Sequence, residues 1–302
     1  MEATAKIKRT PARGLRKLLR DALAVGQLRV GVAFLILLIL VAVFAPLIAT
    51  HDPFALDNDM LLPPSAEHWL GTDGLGRDVF SMVVHGARTS LVIGVVAAVI
   101  AGIIGTLLGG IAGFYRGGLD RFLTETNNMF LMIPTFFLVL LIVAFFGSSI
   151  VNVILVLGLT GWVGNALLMR SQAVSLRERT FVKSAIAVGE SRARILLKHI
   201  IPNGIYPIIA NTTMNISAAI LMESSLSFLG LGDPNIVSWG QIISHGRSYL
   251  TSGWWISASA GLAIVITVFT FYLIGDGLNR LFNPKWTSVN RLDSQNRENY
   301  AA

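Results

Sequence analysis

Charged residues divide this chain into five long stretches that contain none: residues 30–50, 89–115, 126–169, 200–222 and 248–275. A helix crossing the hydrocarbon core of a bilayer needs about 20 mostly apolar residues. Four stretches suit one helix each, and the 44-residue stretch 126–169 suits two, with a tight turn near residues 147–149. The pattern predicts six spans, near residues 30–50, 90–114, 125–146, 150–169, 205–226 and 257–279. The expected fold class is therefore an all-α polytopic membrane protein with six transmembrane helices. Laid on charge-free runs, the spans are expected to hold no Asp, Glu, Lys, Arg or His.

Orientation comes from the connecting segments. Under the positive-inside rule, the Lys and Arg counts of eight before residue 30, two in 116–125, seven in 170–199 and four from 276 onward mark cytoplasmic segments. Residues 51–88 and 223–247 carry two and one and are external. Both termini are expected in the cytoplasm. The basic tail 1–29, with Leu15, Leu18, Leu19, Ala22 and Leu23 among Arg13, Arg16, Lys17 and Arg20, suits either a solvated orientation signal or an amphipathic helix on the inner surface. Its following apolar stretch exceeds a cleaved signal's core, so the first span reads as an uncleaved signal anchor.

Composition sharpens this picture. Only 14% of the 302 residues are charged and 53% are hydrophobic, against roughly 25% charged in soluble domains. A soluble enzyme is excluded, and the net charge of +7 is explained by topology without nucleic acid. No cysteine is present, which removes disulfides and thiolate metal sites. Of the five histidines, His51, His68, His85 and His245 are external and His199 is cytoplasmic, with no helical pair beside a carboxylate, so no metal site is expected. The absence of buried ionisable groups and nucleophile motifs argues against a proton-coupled transporter and a membrane hydrolase. A self-sufficient channel or secondary transporter remains the alternative of a different class.

Local signals fill in the spans. Gly105, Gly109 and Gly113, with Gly102 nearby, make a small-residue stripe for close helix packing, with a gating hinge as the sharper reading. Pro134 should kink the third span. Asn127, Asn128, Asn152, Asn165, Asn211 and Asn215 are polar positions of spans three to five, suited to interhelical bonds or to a passage. Asn128, Pro134, Asn211 and Asn215 are the passage candidates.

Two connectors are more than turns. Residues 51–88 carry six of the 17 acidic residues, an acidic external surface, and should form a turn-rich cap followed by a short interfacial helix over 78–85, capped by Asp78. Its glycines Gly71, Gly74 and Gly76 do not make a phosphate loop. The cytoplasmic segment 170–203 should fold as helix, Gly189, helix: Gly189 ends the first in the left-handed region, Ser191 caps the second and Pro202 closes it. Phe181, Val188, Ile195 and Leu196 supply apolar contacts ringed by Arg192, Arg194 and Lys198. An exposed elbow of this kind is a lever for a soluble motor or an ordinary amphipathic hairpin.

The segment SAIAVGESRARILLKHIIPN resembles the E-A-A-x-x-x-G…I-x-L-P loop of permease subunits in ATP-binding-cassette importers. Ala185, Gly189, Ile200 and Pro202 match; Lys183 stands where the glutamate usually is, and Ser184 replaces the first alanine. HWLGTDGLGRDVFSMVVHGARTSL, ESSLSFLGLG (223–232), SWGQII (238–243) and LIGDGLNRLFNPK (273–285) resemble motifs of the second permease of dipeptide, oligopeptide and nickel importers, and the resemblance covers about residues 25–286. Asn128 and Asn283 replace common aspartates, and Ala260 a common proline.

The resemblance implies a type I importer permease fold in a bacterial or archaeal cytoplasmic (inner) membrane. It implies a regular division of the chain: tail 1–29, first helix with external segment 30–88, core domain 89–281 with coupling loop 181–202, and tail 282–302. It implies a non-catalytic subunit pairing with a homologous permease, two cytoplasmic ATP-binding subunits that carry ATP and Mg, and an external solute-binding protein. The cargo would be di- or oligopeptides, with nickel or glutathione as alternatives. Phe181, Ala185, Gly189, Glu190, Ser191, Arg192 and Pro202 would couple to the ATPases.

Overall fold

The computed structural model describes residue 22 and residues 24–282, and its regular elements are helical apart from an isolated antiparallel bridge between Thr72 and Asp78. The basic tail and the closing tail from 283 lie outside the described residues, apart from the stretch leading into the first helix.

Eleven helices carry the argument: α1 Gly26–Val43, α2 Val79–Tyr115, α3 Gly117–Met132, α4 Thr135–Phe146, α5 Ile150–Thr160, α6 Val163–Arg177, α7 Thr180–Ala187, α8 Arg192–Ile195, α9 Tyr206–Phe228, α10 Trp239–Gly246 and α11 Trp254–Phe282. Among the described residues, four stretches are long and apolar enough to cross a membrane: α1, α2, α5 with α6, and α11. Two bent pairs, α3 with α4 at 80° and Arg192–Gly204 with α9 at 63°, bring the number to six when each pair is one span.

Several boundaries depart from expectation. The first span ends at Val43, because Pro46 opens a separate one-turn helix, Ala45–Ile48. The expected interfacial helix over 78–85 does not exist as a separate element. Nothing between His85 and Thr89 breaks the helix, so α2 runs 37 residues from its cap. Asp78 does cap it, accepting the Ser81 amide at 2.8 Å. Pro134 breaks the chain more deeply than a kink: it is the cap residue of α4, and α3 and α4 meet at 80°. Gly147, at φ +89°, makes the expected turn into α5.

α2 is the central post, packed on α6, α9, α5 and α1. Its glycines explain the closeness. A Cβ at Gly105 would come within 2.6 Å of Trp162 O, and one at Gly109 or Gly113 would collide with the carbonyl of Ala166 or Arg170. All three meet α6 or the residue before it, which is the close-packing reading of the stripe. Gly102 meets Thr212 of α9 instead. The largest core gathers Val79, Met82, Ile220, Trp239, Ile242 and Ile256 where the start of α2 meets α9, α10 and α11. A second core, of Phe114, Met169, Val182, Ile195, Ile200 and Ile208, sits at the opposite end and holds the elbow.

Candidate functional site

The elbow begins where Thr180 starts α7 and ends where Ile205 turns the chain into α9. Gly189 closes α7 with φ +83°. Its amide donates to Ile186 O at 3.0 Å, and the next amide, Glu190, donates to Ala185 O at 3.1 Å. This is the double-bonded helix stop that a left-handed glycine permits. A Cβ at Gly189 would meet nothing within 4 Å, so its requirement is conformational and not steric crowding.

After the stop the chain re-enters a helix at Ser191. Ser191 stands in the cap position, but its hydroxyl makes no cap bond, a departure from expectation; only its carbonyl serves, accepting Ile195 N–H at 3.0 Å. Pro202 does not close this helix either. A π turn, Leu196–Ile200, widens the coil ahead of it, and Pro202 enters the following turn, Ile201–Gly204, near its start, where its missing N–H costs little. The chain bends only at Ile205.

One face of the elbow is locked in and the other is open. Val182, Ile195, Leu196 and Ile200 are buried against α2 and α6. Phe181, Ile186, Val188 and Leu197 are exposed, Val188 to 88%. Ala185 is half-buried, while Arg192 and Pro202 are exposed. Glu190 is tied to His199 at 2.9 Å, and Phe181 lies beside the same imidazole, ring centres 6.4 Å apart. Lys183, at the motif's glutamate position, pairs with Glu178 at 3.2 Å. That ammonium, with Arg116 behind it, holds the Glu178 carboxyl below its ordinary range. At the root of the elbow Arg170 grips Asp120 with two bonds of 2.6 and 2.9 Å, fixing α3 to α6.

The passage candidates are separated by the fold. Asn215 lines a cavity of about 210 Å³ between α2, α4, α5 and α9, with Ala98, Thr135, Thr160, Ala219 and Met222. Pro134 places Thr135 at that cavity. Asn211, one turn along α9, instead donates to Asn165 Oδ1 at 2.9 Å, an interhelical bond. Asn128 is exposed on α3, beside buried Asn127.

The end opposite the elbow contains polar groups that the sequence hides. Glu223 falls inside α9, which runs to Phe228, and is 4% exposed. The expectation of spans free of ionisable groups fails here: the charge-free run ends at Met222, and the span expected over 205–226 already reached past it to Glu223. Ser227 and Ser238 donate to Glu223 Oε1 at 2.7 and 2.8 Å, so the carboxyl joins α9 to the start of α10. Two of the six acidic residues of the expected acidic surface are also turned inward. Asp73 clamps Arg77 at 2.6–2.8 Å. Asp78 faces His68 and His51 at 2.9 and 3.8 Å. Burial opposes the Asp78 charge, but the Ser81 hydroxyl and amide, His68 and His51 outweigh it and hold the carboxyl below its ordinary range. Ser227, one helical turn after Glu223, was the available signal; the meeting of His51 with His68 left none, since it depends on the cap's path.

Comparison with known proteins bears on this arrangement. Residues 105–288 match the family model of the binding-protein-dependent transport system inner membrane component, and residues 12–64 match the N-terminal TM domain of oligopeptide transport permease C. A probable D,D-dipeptide transport system permease protein of Escherichia coli is 39% identical over 83% of this chain and 85% of its own. A dipeptide transport system permease protein of Alkalihalophilus pseudofirmus is 38% identical over 86% of each. A glutathione transport system permease protein of Shigella flexneri is 41% identical over 83% and 84%. Among solved structures, an inward-facing conformation of the MetNI methionine ABC transporter matches with a TM-score of 0.53 at 19% identity, covering 67% of this chain and 97% of that one.

Proposed function

The chain belongs to the family of binding-protein-dependent transport system inner membrane components, and from that premise we propose that it is one of two homologous permeases enclosing a passage for di- or oligopeptides or a related small solute such as glutathione. It is a non-catalytic transport subunit of the membrane. In this reading it crosses the cytoplasmic membrane of its cell six times with both termini inside, and residues 181–202 form the coupling loop of the core domain. Two cytoplasmic ATP-binding subunits dock on that loop and supply the ATP and Mg; an external solute-binding protein docks on the cap and on residues 230–255. Peptides are favoured as cargo by the names of the relatives. Asn215 in its cavity, with Asn211 one turn along the same helix and Pro134 and Asn128 on neighbouring elements, marks the passage.

The observation that carries this reading is the two-sided elbow. Its inner face is bolted to α2 and α6 by Val182, Ile195, Leu196 and Ile200, while Phe181, Ile186 and Val188 project outward. A hairpin with no partner gains nothing by exposing three large apolar side chains on one short element. A rigid elbow passes a partner's movement to α9, through Ile205, and so to the cavity at Asn215. Alternating access then follows from energy supplied at the elbow.

Gly189→Pro tests it. Proline fixes φ near −65° and lacks the N–H that Gly189 donates to Ile186 O, so the helix stop cannot form. The expected result is normal insertion and normal helix content with uptake abolished and the ATPases lost on purification. Normal uptake by this variant overturns the coupling role.

A further inference from the structure

Three separate stretches of chain bring nitrogen and oxygen ligands to one point at the external cap. His51 follows the one-turn helix after α1, His68 lies in the turn before the Thr72–Asp78 bridge, and Asp78 opens α2. Their ligand atoms all lie within 4.8 Å of one another. His68 Nδ1 is 2.9 Å and His51 Nδ1 3.8 Å from the same oxygen, Asp78 Oδ1. The other carboxylate oxygen is taken by the Ser81 amide at 2.8 Å, so Oδ1 is left to the two imidazoles.

One oxygen serves two rings poorly. His68 takes it within hydrogen-bond distance; His51 stands too far and rests on Thr50 Oγ1 at 3.0 Å. The rings lie face to face, centres 4.7 Å apart and tilted by 34°, with Asp78 fully buried and His68 nearly so. A cation between them changes this. Ligands at about 2.0–2.2 Å in tetrahedral geometry stand roughly 3.3 Å apart, between the two separations found here. Asp78 is anchored by its cap bond, and His51 is the ring with freedom to swing in. Its side chain is 31% exposed, so a fourth position beside it is open to water.

We propose that His51, His68 and Asp78 form a binding site for one divalent transition-metal cation of the zinc type, stapling the external cap to the start of α2. Two imidazoles and a single carboxylate oxygen suit a borderline cation, whereas calcium and magnesium require several oxygens. The site is a second feature of the permease, outside the elbow and the cavity. Its geometry does not depend on the transport reading, which enters only in naming the face external.

The test is a zinc titration of the full-length chain, purified from membranes with a tag that contains no histidine and stripped with a chelator. Calorimetry is expected to find one Zn²⁺ per chain, and cobalt(II) in its place to give the visible absorption of a tetrahedral site. His51→Ala should weaken binding more than about tenfold, since even outer-shell changes cost that much, while keeping the metal-free melting temperature. His68→Ala should abolish binding; because it also empties a buried position, the deciding variant is His51→Ala, whose side chain is partly exposed. His85, bonded to Ser81 O at 3.0 Å, is the control: His85→Gln should leave the affinity unchanged. No stoichiometric zinc in the wild type, equal affinity in His51→Ala, or equal loss in His85→Gln would each overturn the site. Uptake need not be measured, so failure here and failure of the coupling role are separate results.

Discussion

The two ends of this molecule are finished in opposite ways. At the end that carries the cap nearly every buried polar group meets a partner from the same chain. Glu223 has Ser227 and Ser238, Asp73 has Arg77, Asp78 has Ser81 and His68, Trp239 Nε1 donates to Val83 O, and Trp255 Nε1 donates to Thr72 O. At the elbow the chain buries the inner face and leaves Phe181, Ile186 and Val188 outside. A region that satisfies its own polar groups resists deformation, because opening any one leaves a buried donor or acceptor unpaired. Under the proposed function the apolar groups left over at the elbow are covered by a partner, and the difference separates a fixed frame from a contact surface.

The sharpest way to break this comparison is to damage each end equally and measure both. Trp239 is 1% exposed, fills the core between α2 and α10, and holds Val83 O at 2.9 Å. Trp239→Ala is expected to cost about 3–5 kcal/mol of stability, read as a large fall in melting temperature in detergent. Val188→Ser, at 88% exposure, should leave the melting temperature within the roughly 0.5 kcal/mol of an ordinary surface change, yet lower uptake. A large stability loss at Val188 would show that the elbow is core after all, and the contrast between the ends would collapse.

Glu223 refines the same contrast. Glu223→Ala leaves the Ser227 and Ser238 hydroxyls without their acceptor and opens space between α9 and α10, for an expected loss of about 1–3 kcal/mol. Glu223→Gln keeps an acceptor oxygen in the same place and should recover most of it. If both variants fall equally, the carboxylate's charge and not its bonding carries the join. The measurement is the melting temperature of the two variants side by side.

Much of the frame was legible in the residues. Charge-free runs located the apolar stretches, the four-residue glycine spacing foretold how α2 meets α6, and Gly189 announced the helix stop. What was hidden has a common cause. Helix ends are decided by tertiary contacts as much as by composition, so α9 ran on two residues to Phe228 and α2 absorbed the segment read as a separate interfacial helix. Ser191 and Pro202 show the other limit. Each carries a strong local preference, for a cap and for a stop. The π turn at Leu196–Ile200 and the core under Ile195 set a different path, in which neither preference is used. The cluster of His51, His68 and Asp78 depends on a loop closing over 27 residues, and no periodicity encodes that.

The smallest expected effect probes the seam between the cap and α10. Arg77 Nη2 lies 2.9 Å from His245 Nδ1, and Asp73 holds the guanidinium from behind. Partial burial pushes the His245 pKa below its ordinary value of 6.5, the facing Arg77 charge adds to this, and Asp73 only partly offsets it. A histidine whose folded pKa is depressed binds fewer protons when folded than when unfolded, so stability rises with pH across the interval between the two values. Its contribution is complete above about pH 6.5 and is lost as the pH falls through the lower folded value. The side chain is only partly buried and water screens the pair, so the change should be a slight fall in melting temperature on acidification. His245→Gln keeps a neutral partner for Arg77 and should remove that part of the slope, while Val188→Ser should not touch it. Equal slopes in wild type and His245→Gln would mean that the seam does not sense protons, and that the fixed frame is indifferent to acid at the place where the cap and α10 meet.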